Sequence, residues 1–392
     1  MTAADFAELA LDGPLPGAGF TMVEASAGTG KTTTLATLVA RYVAEQGIDI
    51  GSLCIVTFTE AATTELRSRV RSELAALADH LDDLIMNRYG EAFARRELEH
   101  PSVSIVGYVD DDERRARLGR VRAALNEFDS ATIATIHGFC QRVLSTAGLG
   151  QSVAELDRRG DDVVEVVNDV YIREFAEQVT RLQPQKLAKA TILALRMEDA
   201  ALSLPLPSAR SKVAIAVQIE STRVLREVVE TVRERREVGR TRSLDDLLVH
   251  TRDLLAAPVG ASTLESLVDR YRVVMIDEFQ DTDQVQWQIF HDTFAGSSTV
   301  VIMVGDPKQA IYRFRSADIN AYLDAVDVAD ARFTLGTNWR SDSRYLEALD
   351  ALLNGTTFGS DKIVFRSVRA RPNDGDRAQQ RQLAGKATSF DG

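Results

Sequence analysis

The chain has 392 residues, 45% of them hydrophobic, which leaves room for two or three domains with their own cores and excludes wholesale disorder. Its net charge of −12 opposes any protein that coats nucleic acid by bulk charge, but not a single-strand groove made of stacking rings and a few local cations. Two cysteines, Cys54 and Cys140, are too few for a disulfide framework or a four-cysteine zinc site, so a reduced, cytoplasmic protein is expected. The N-terminus MTAADFAELALDG is no signal peptide, and no apolar run is long enough to cross a membrane.

In chain order, the first predicted element is a short buried strand, Phe20 to Ala25, followed by a Gly-rich loop and an amphipathic helix to about Ala44. A second buried strand, Leu53 to Thr59, leads into a long helix from about Glu60. This βαβα alternation predicts an α/β fold with a parallel sheet. From about Ala76 to Asn126 the pattern is helical and charged. A β-rich piece, ATIATIHGF (131–139), interrupts it before helical periodicity resumes from about Val163 to Ala256, with turn signals at LPLPS (204–208). The basic run RERREVGRTR (233–242) reads as a solvated helix end, a DNA site being the alternative. Strands return at Arg272 to Phe279, Thr299 to Asp306 and Ala331 to Leu335. The expected division is an ATPase domain in three pieces (1–75, 131–145, 241–330). A helical insertion in two pieces (76–130, 146–240) forms one subdomain, 331–368 begins a second motor domain, and 369–392 is a disordered tail or truncated linker.

The strongest local signal is Ala25-Ser26-Ala27-Gly28-Thr29-Gly30-Lys31-Thr32-Thr33 between a strand and a helix. Backbone N–H groups of such a loop wrap a phosphate at a helix N-terminus, Lys31 reaches the outer phosphates and Thr32 ligates Mg²⁺, which predicts ATP and Mg²⁺ as ligands. The pattern departs from the strict form at Ala25, where glycine is usual. A P-loop needs carboxylates nearby, and Asp277 and Glu278 end an apolar strand, the first suited to the metal and the second to the attacking water. Gln309, three residues after Asp306, suits contact with the terminal phosphate, and Tyr312 and Phe314 alternate with Arg313 and Arg315 as a base-stacking strip would.

Together ASAGTGKT, TFTEAATTELRSRVR, TIHGFCQRVL, MIDEFQDTD, VGDPKQAIYRFRSADI and TNWRS resemble, in order, the motifs of the UvrD/Rep-like superfamily 1 DNA helicases, and their spelling is closest to the RecB family, beta subunits of exodeoxyribonuclease V. The resemblance covers about residues 20–350. It implies a RecA-like P-loop domain with an inserted helical subdomain and the start of a second RecA-like domain. The implied function is the ATP-binding motor portion of a 3′-to-5′ helicase in recombinational double-strand break repair. Single-stranded DNA and duplex ends would be substrates, and RecC-like and RecD-like subunits partners. The resemblance also implies that Trp339 packs on adenine and Arg340 meets the γ-phosphate, that Phe58 and Phe314 stack on bases, and that His137 belongs to the DNA-side motif, a structural histidine being its alternative. Phe314 stands where many relatives have Trp. The later motor motifs and a nuclease domain have no match, so the isolated chain is expected not to unwind DNA. An ATP-dependent DNA-binding fragment and a UvrD-like helicase portion without nuclease are the alternatives.

Overall fold

The architecture follows from predominantly apolar strands that are buried at every position. In β3 (Leu53–Thr57), β7 (Val273–Ile276) and β8 (Val300–Gly305) each side chain is buried, with no alternation. Such strands belong in a parallel sheet covered on both faces. The computed structural model describes residues 6–148, 156–157, 161–175, 184–195, 212–239, 242–311 and 318–371. With β1 (Ala7–Glu8), β2 (Gly19–Glu24), β4 (Thr132–Thr135) and β9 (Ala331–Thr334), these strands form a seven-stranded sheet in the order β1-β9-β2-β8-β7-β3-β4. Every pairing in it is parallel, so the loops that follow the strands all leave from one edge.

Helix α1 (Lys31–Gln46) starts after Gly30 and stops at Gly47, both left-handed, and the Gly47 N–H bonds the Tyr42 carbonyl. Helix α2 (Glu60–Ile85) is capped by the Thr59 hydroxyl, which accepts from Ala62 N–H. Helices α3 (Glu91–Glu99), α4 (Pro101–Val106) and α5 (Asp111–Asn126) follow. Leu74, Leu77 and Leu81 of α2 and Leu118 and Val121 of α5 share one core with Val39 and Tyr42 of α1 and Ile55 of β3.

That core corrects two readings. Residues 76–130 were expected to join the later helices in one insertion, but they pack with the sheet domain, because α2 runs unbroken past residue 75 and carries its apolar face along α1. The chain divides elsewhere, into 1–139 with 264–392 and a second unit, 140–263. Likewise Ala331–Thr334 was assigned to a second motor domain, yet β9 pairs with β2 and β1 inside the first sheet. ATIATIHGF is a strand only to Thr135, and α6 (Ile136–Thr146) begins at once.

The second unit contains α7 (Asp161–Phe175), α8 (Pro184–Leu195), α9 (Lys212–Gly239) and α10 (Leu244–Ala256), with a small pair of β5 (Leu156–Asp157) and β6 (Arg242–Ser243). A valine-rich core, including Val166, Val170, Val224 and Val228, holds α7 and α9 together. LPLPS lies outside the described residues. After α11 (Ala261–Arg270) the chain returns to the sheet, with α12 (Gln284–Phe294) and α13 (Ile319–Val328) on the way to β9. Then β10 (Thr337–Asn338), α14 (Ser343–Leu353) and β11 (Arg369–Ala370) follow, β10 pairing with β11. The expected tail therefore begins as an ordered strand, and residues 372–392 are outside the described set. Among the described residues no helix is long and apolar enough to cross a membrane.

Candidate nucleotide site and DNA-facing edge

The P-loop joins β2 to α1 at the carboxyl edge of the sheet. Gly28 and Gly30 have φ of 83° and 86°, a conformation that costs any L side chain strain. Ala25 needs no such freedom: its N–H donates to the Gly305 carbonyl at 2.9 Å, extending the strand, which explains why a residue with a Cβ fits there. Thr29 Oγ1 donates to the Ser26 carbonyl at 2.7 Å and closes the turn.

Lys31 Nζ donates to Glu278 Oε2 at 2.5 Å, across 247 residues of sequence. The strand order explains the meeting, since β8 alone separates β2 from β7. Glu278 has φ of 51°, which turns its side chain back to the P-loop. Asp277 is pushed up to about 6, first by burial and then by the Glu278 charge. Asp281 is also raised to about 6 by burial and Glu278, and its Oδ1 is buried without a hydrogen-bond partner among the described residues. The Lys31 charge counters these shifts only in part, so the donor chemistry fits a hard divalent cation. Among the described residues no group of three or more His, Cys, Asp or Glu could cage a metal. Mg²⁺ keeps waters and phosphate oxygens beside one or two protein oxygens, and Thr32 and Asp277 are the residues here that could supply them.

Sequence reasoning missed two residues. Gln280 donates to Glu278 Oε2 at 2.8 Å and accepts from the Asp306 N–H at 2.9 Å, bridging the loops after β7 and β8. Its signal was its place in DEFQD. Asn338 donates to the Ala27 carbonyl at 2.9 Å and accepts from the N–H groups of Arg340 and Ser341. The Trp339 N–H adds a bond to the Gly28 carbonyl at 2.8 Å. The TNWRS turn is thus latched onto the P-loop, so close that a Cβ on Gly28 would lie 2.8 Å from the Arg340 Cβ.

Gln309 donates to Asp306 Oδ2 at 2.8 Å and stays at the edge where β8 ends. Beside the P-loop is a cavity of about 350 Å³, lined by Thr29, Gly30, Thr33, Arg69, Glu8 and Trp339 among others. Arg69 donates to Thr33 Oγ1 at 3.2 Å. Phe58 and His137, both half-buried, follow β3 and β4, on the far side of β7 from the P-loop. Nucleotide-type residues therefore cluster at the ends of β2, β8 and β7, and the expected DNA-side residues at β3 and β4. Tyr312 and Phe314 lie outside the described residues.

A phosphate loop and a carboxylate pair meeting at the edge of one parallel sheet define a RecA-like P-loop nucleotide-binding domain. The chain belongs to the UvrD/REP helicase N-terminal domain family, whose model matches residues 13–329. It is 40% identical, over 370 residues, to the RecBCD enzyme subunit RecB of Mycobacterium tuberculosis strain H37Rv, covering 91% of this chain and 32% of that protein. The protein of the same name from Mycolicibacterium smegmatis is 40% identical over 92% of this chain and 32% of its own length. That from Escherichia coli K12 is 27% identical over 90% of this chain and 39% of its own length. The chain thus spans about a third of the length of the mycobacterial relatives it matches.

Proposed function

We propose that the chain is the ATP-binding N-terminal motor portion of a RecB-like 3′-to-5′ DNA helicase working in a helicase–nuclease assembly on broken duplex ends. The observation that carries this reading is the Lys31–Glu278 pair at 2.5 Å, which joins a phosphate-binding lysine to a water-orienting carboxylate at one sheet edge. Each group holds the other. An arriving triphosphate draws Lys31 to its outer phosphates and releases Glu278 to orient and deprotonate water. The backbone from Ala25 to Thr33 cradles the phosphates, with Thr32 and Asp277 as ligands of Mg²⁺. When bound, that ion neutralises charge developing on the phosphates.

Gln309 reports the terminal phosphate and Arg340 adds a charge to it. Trp339, latched over the P-loop with its ring half in solvent, packs on the base in the adjoining cavity. Phe58, His137, Tyr312 and Phe314 meet single-stranded DNA. The relatives' shared name, RecBCD enzyme subunit, supports RecC-like and RecD-like partners. Substituting Lys31→Ala tests the reading. A folded variant should lose magnesium-dependent binding of a fluorescent ATP analogue, and undiminished affinity would remove the P-loop assignment.

A further inference from the structure

Behind the P-loop runs a chain of charges, its carboxylates buried and its cations partly so, that the nucleotide chemistry leaves unexplained. Glu24 is the last residue of β2, its backbone held between β8, where it faces Gly305, and β9, where it faces Thr334. Its carboxylate is 6% exposed and both oxygens are engaged: Lys308 Nζ donates to Oε1 at 2.5 Å and Arg366 Nε to Oε2 at 2.9 Å. Lys308 also reaches Asp306 Oδ1 at 2.7 Å, and the other Asp306 oxygen accepts from Gln309 at 2.8 Å. The five side chains form one unbroken line, Arg366–Glu24–Lys308–Asp306–Gln309, of two carboxylates and two cations with an amide at its end.

The surroundings make the line stiff. Tyr322 of α13 is buried, and its phenol is pushed well above its usual range by burial and by the charges of Glu24 and Asp306. Its hydroxyl has no hydrogen-bond partner among the described residues. In such a low-dielectric setting a displaced charge finds no water to replace its partner, and linked hydrogen bonds shift together. The far end is equally placed. Arg366 follows a short hairpin in which Phe365 N–H donates to the Thr356 carbonyl at 3.0 Å, and precedes β11. Strand β11 pairs with β10, which leads straight into Trp339 and Arg340.

We propose that Arg366, Glu24, Lys308 and Asp306 are positioning residues that set Gln309, so that this site's preference for a nucleoside triphosphate over a diphosphate depends on where the segment carrying Arg366 is seated. This rests on Gln309 as the terminal-phosphate contact. Arg366 is not among the residues lining the cavity beside the P-loop, and it acts through three other side chains. Movement of the 354–371 segment leaves Glu24 with one counter-charge instead of two, draws Lys308 toward it and loosens the hold on Asp306. Gln309 then loses its fixed orientation, while Lys31 and the P-loop backbone keep their grip on the inner phosphates.

The test measures the affinities of the 392-residue chain for MgADP and for a magnesium-bound non-hydrolysable ATP analogue, by competition with a fluorescent nucleotide. Arg366→Met should lower the triphosphate preference about fivefold or more, the lower end of coupling between linked sites, and leave ADP affinity unchanged. Arg366→Lys should recover most of that preference. In a Gln309→Ala background, Arg366→Met should change the preference no further. Arg366→Gln, which keeps a donor without the charge, gives the same reading if the Met variant does not fold. Equal losses for both nucleotides, or effects that multiply in the double variant, would mean that Arg366 merely supports the fold and would overturn the proposal. Gln309→Ala with its preference intact would overturn the phosphate contact and the relay together. Gln309→Ala that lowers the preference beside an unaffected Arg366→Met would overturn the relay alone.

Discussion

Glu278→Gln separates binding from hydrolysis with opposite signs. Glu278 holds Lys31 at 2.5 Å, their side chains being 35% and 13% exposed. Such a pair lies between an exposed ion pair, worth at most about 1 kcal/mol, and a fully buried one, so its breaking opposes ATP by about 1 kcal/mol. Glutamine keeps the shape and the hydrogen bond to Lys31 but removes the charge. Affinity for MgATP should therefore rise by up to about fivefold. Hydrolysis should fall, because the amide neither accepts a proton nor orients water as an anion does, and a positioned base is worth on the order of 10²–10⁴ in rate. Titration with a fluorescent ATP analogue gives the first quantity, and single-turnover phosphate release in a complete enzyme carrying this segment gives the second. A variant that binds ATP more weakly, or hydrolyses it at the original rate, would refute the exchange of partners by Lys31.

Gly28→Ala should lower the urea midpoint by an amount equivalent to about 1–2 kcal/mol, the cost of a left-handed alanine, and should weaken nucleotide binding as well. The new Cβ would sit 2.8 Å from the Arg340 Cβ and push the TNWRS latch off the P-loop, so an unchanged midpoint and affinity would count against the latch. His80 is buried, stacked on Phe93 at 4.2 Å, with both ring nitrogens lacking partners among the described residues, and burial lowers its pKa below the ordinary 6.5. The folded state thus keeps it neutral while the unfolded chain takes a proton, and stability is lost as pH falls through about 6.5. The urea midpoint of His80→Phe should accordingly drop less than that of the unaltered protein between pH 7.5 and 5.5, and parallel drops would contradict this. Phe58→Ala should weaken single-stranded DNA binding about 5- to 150-fold, the worth of one stacked base, with ATP affinity unchanged. Equal DNA affinity in a filter-binding assay would return the ring to the core.

The sequence by itself determined the α/β class and the P-loop, because phosphate binding at a helix N-terminus needs only a strand, a Gly-rich turn and a helix adjacent in the chain. It also determined the Asp277–Glu278 pair, since an apolar run ending in carboxylates marks a buried strand reaching the ligand edge. Tertiary structure alone decided which of these loops touch. Lys31 and Glu278 are 247 residues apart, Lys308 and Glu24 284, and Asn338 and Ala27 311. No periodicity encodes such distances. Parallel strands must be joined by long crossovers, so spatial neighbours are distant in sequence, and their order depends on how helices cover the sheet. The same cause lay behind the misplaced boundaries. A short strand such as Ala331–Thr334 looks alike whether it opens a new domain or slots beside β2, and helices past residue 75 look like an insertion until the apolar face of α2 is seen against α1. The sequence assigns no role to Gln280, Glu24 or Lys308 for a related reason: their work lies in pairing charges and donors across strands, which exists only once the sheet has closed around them.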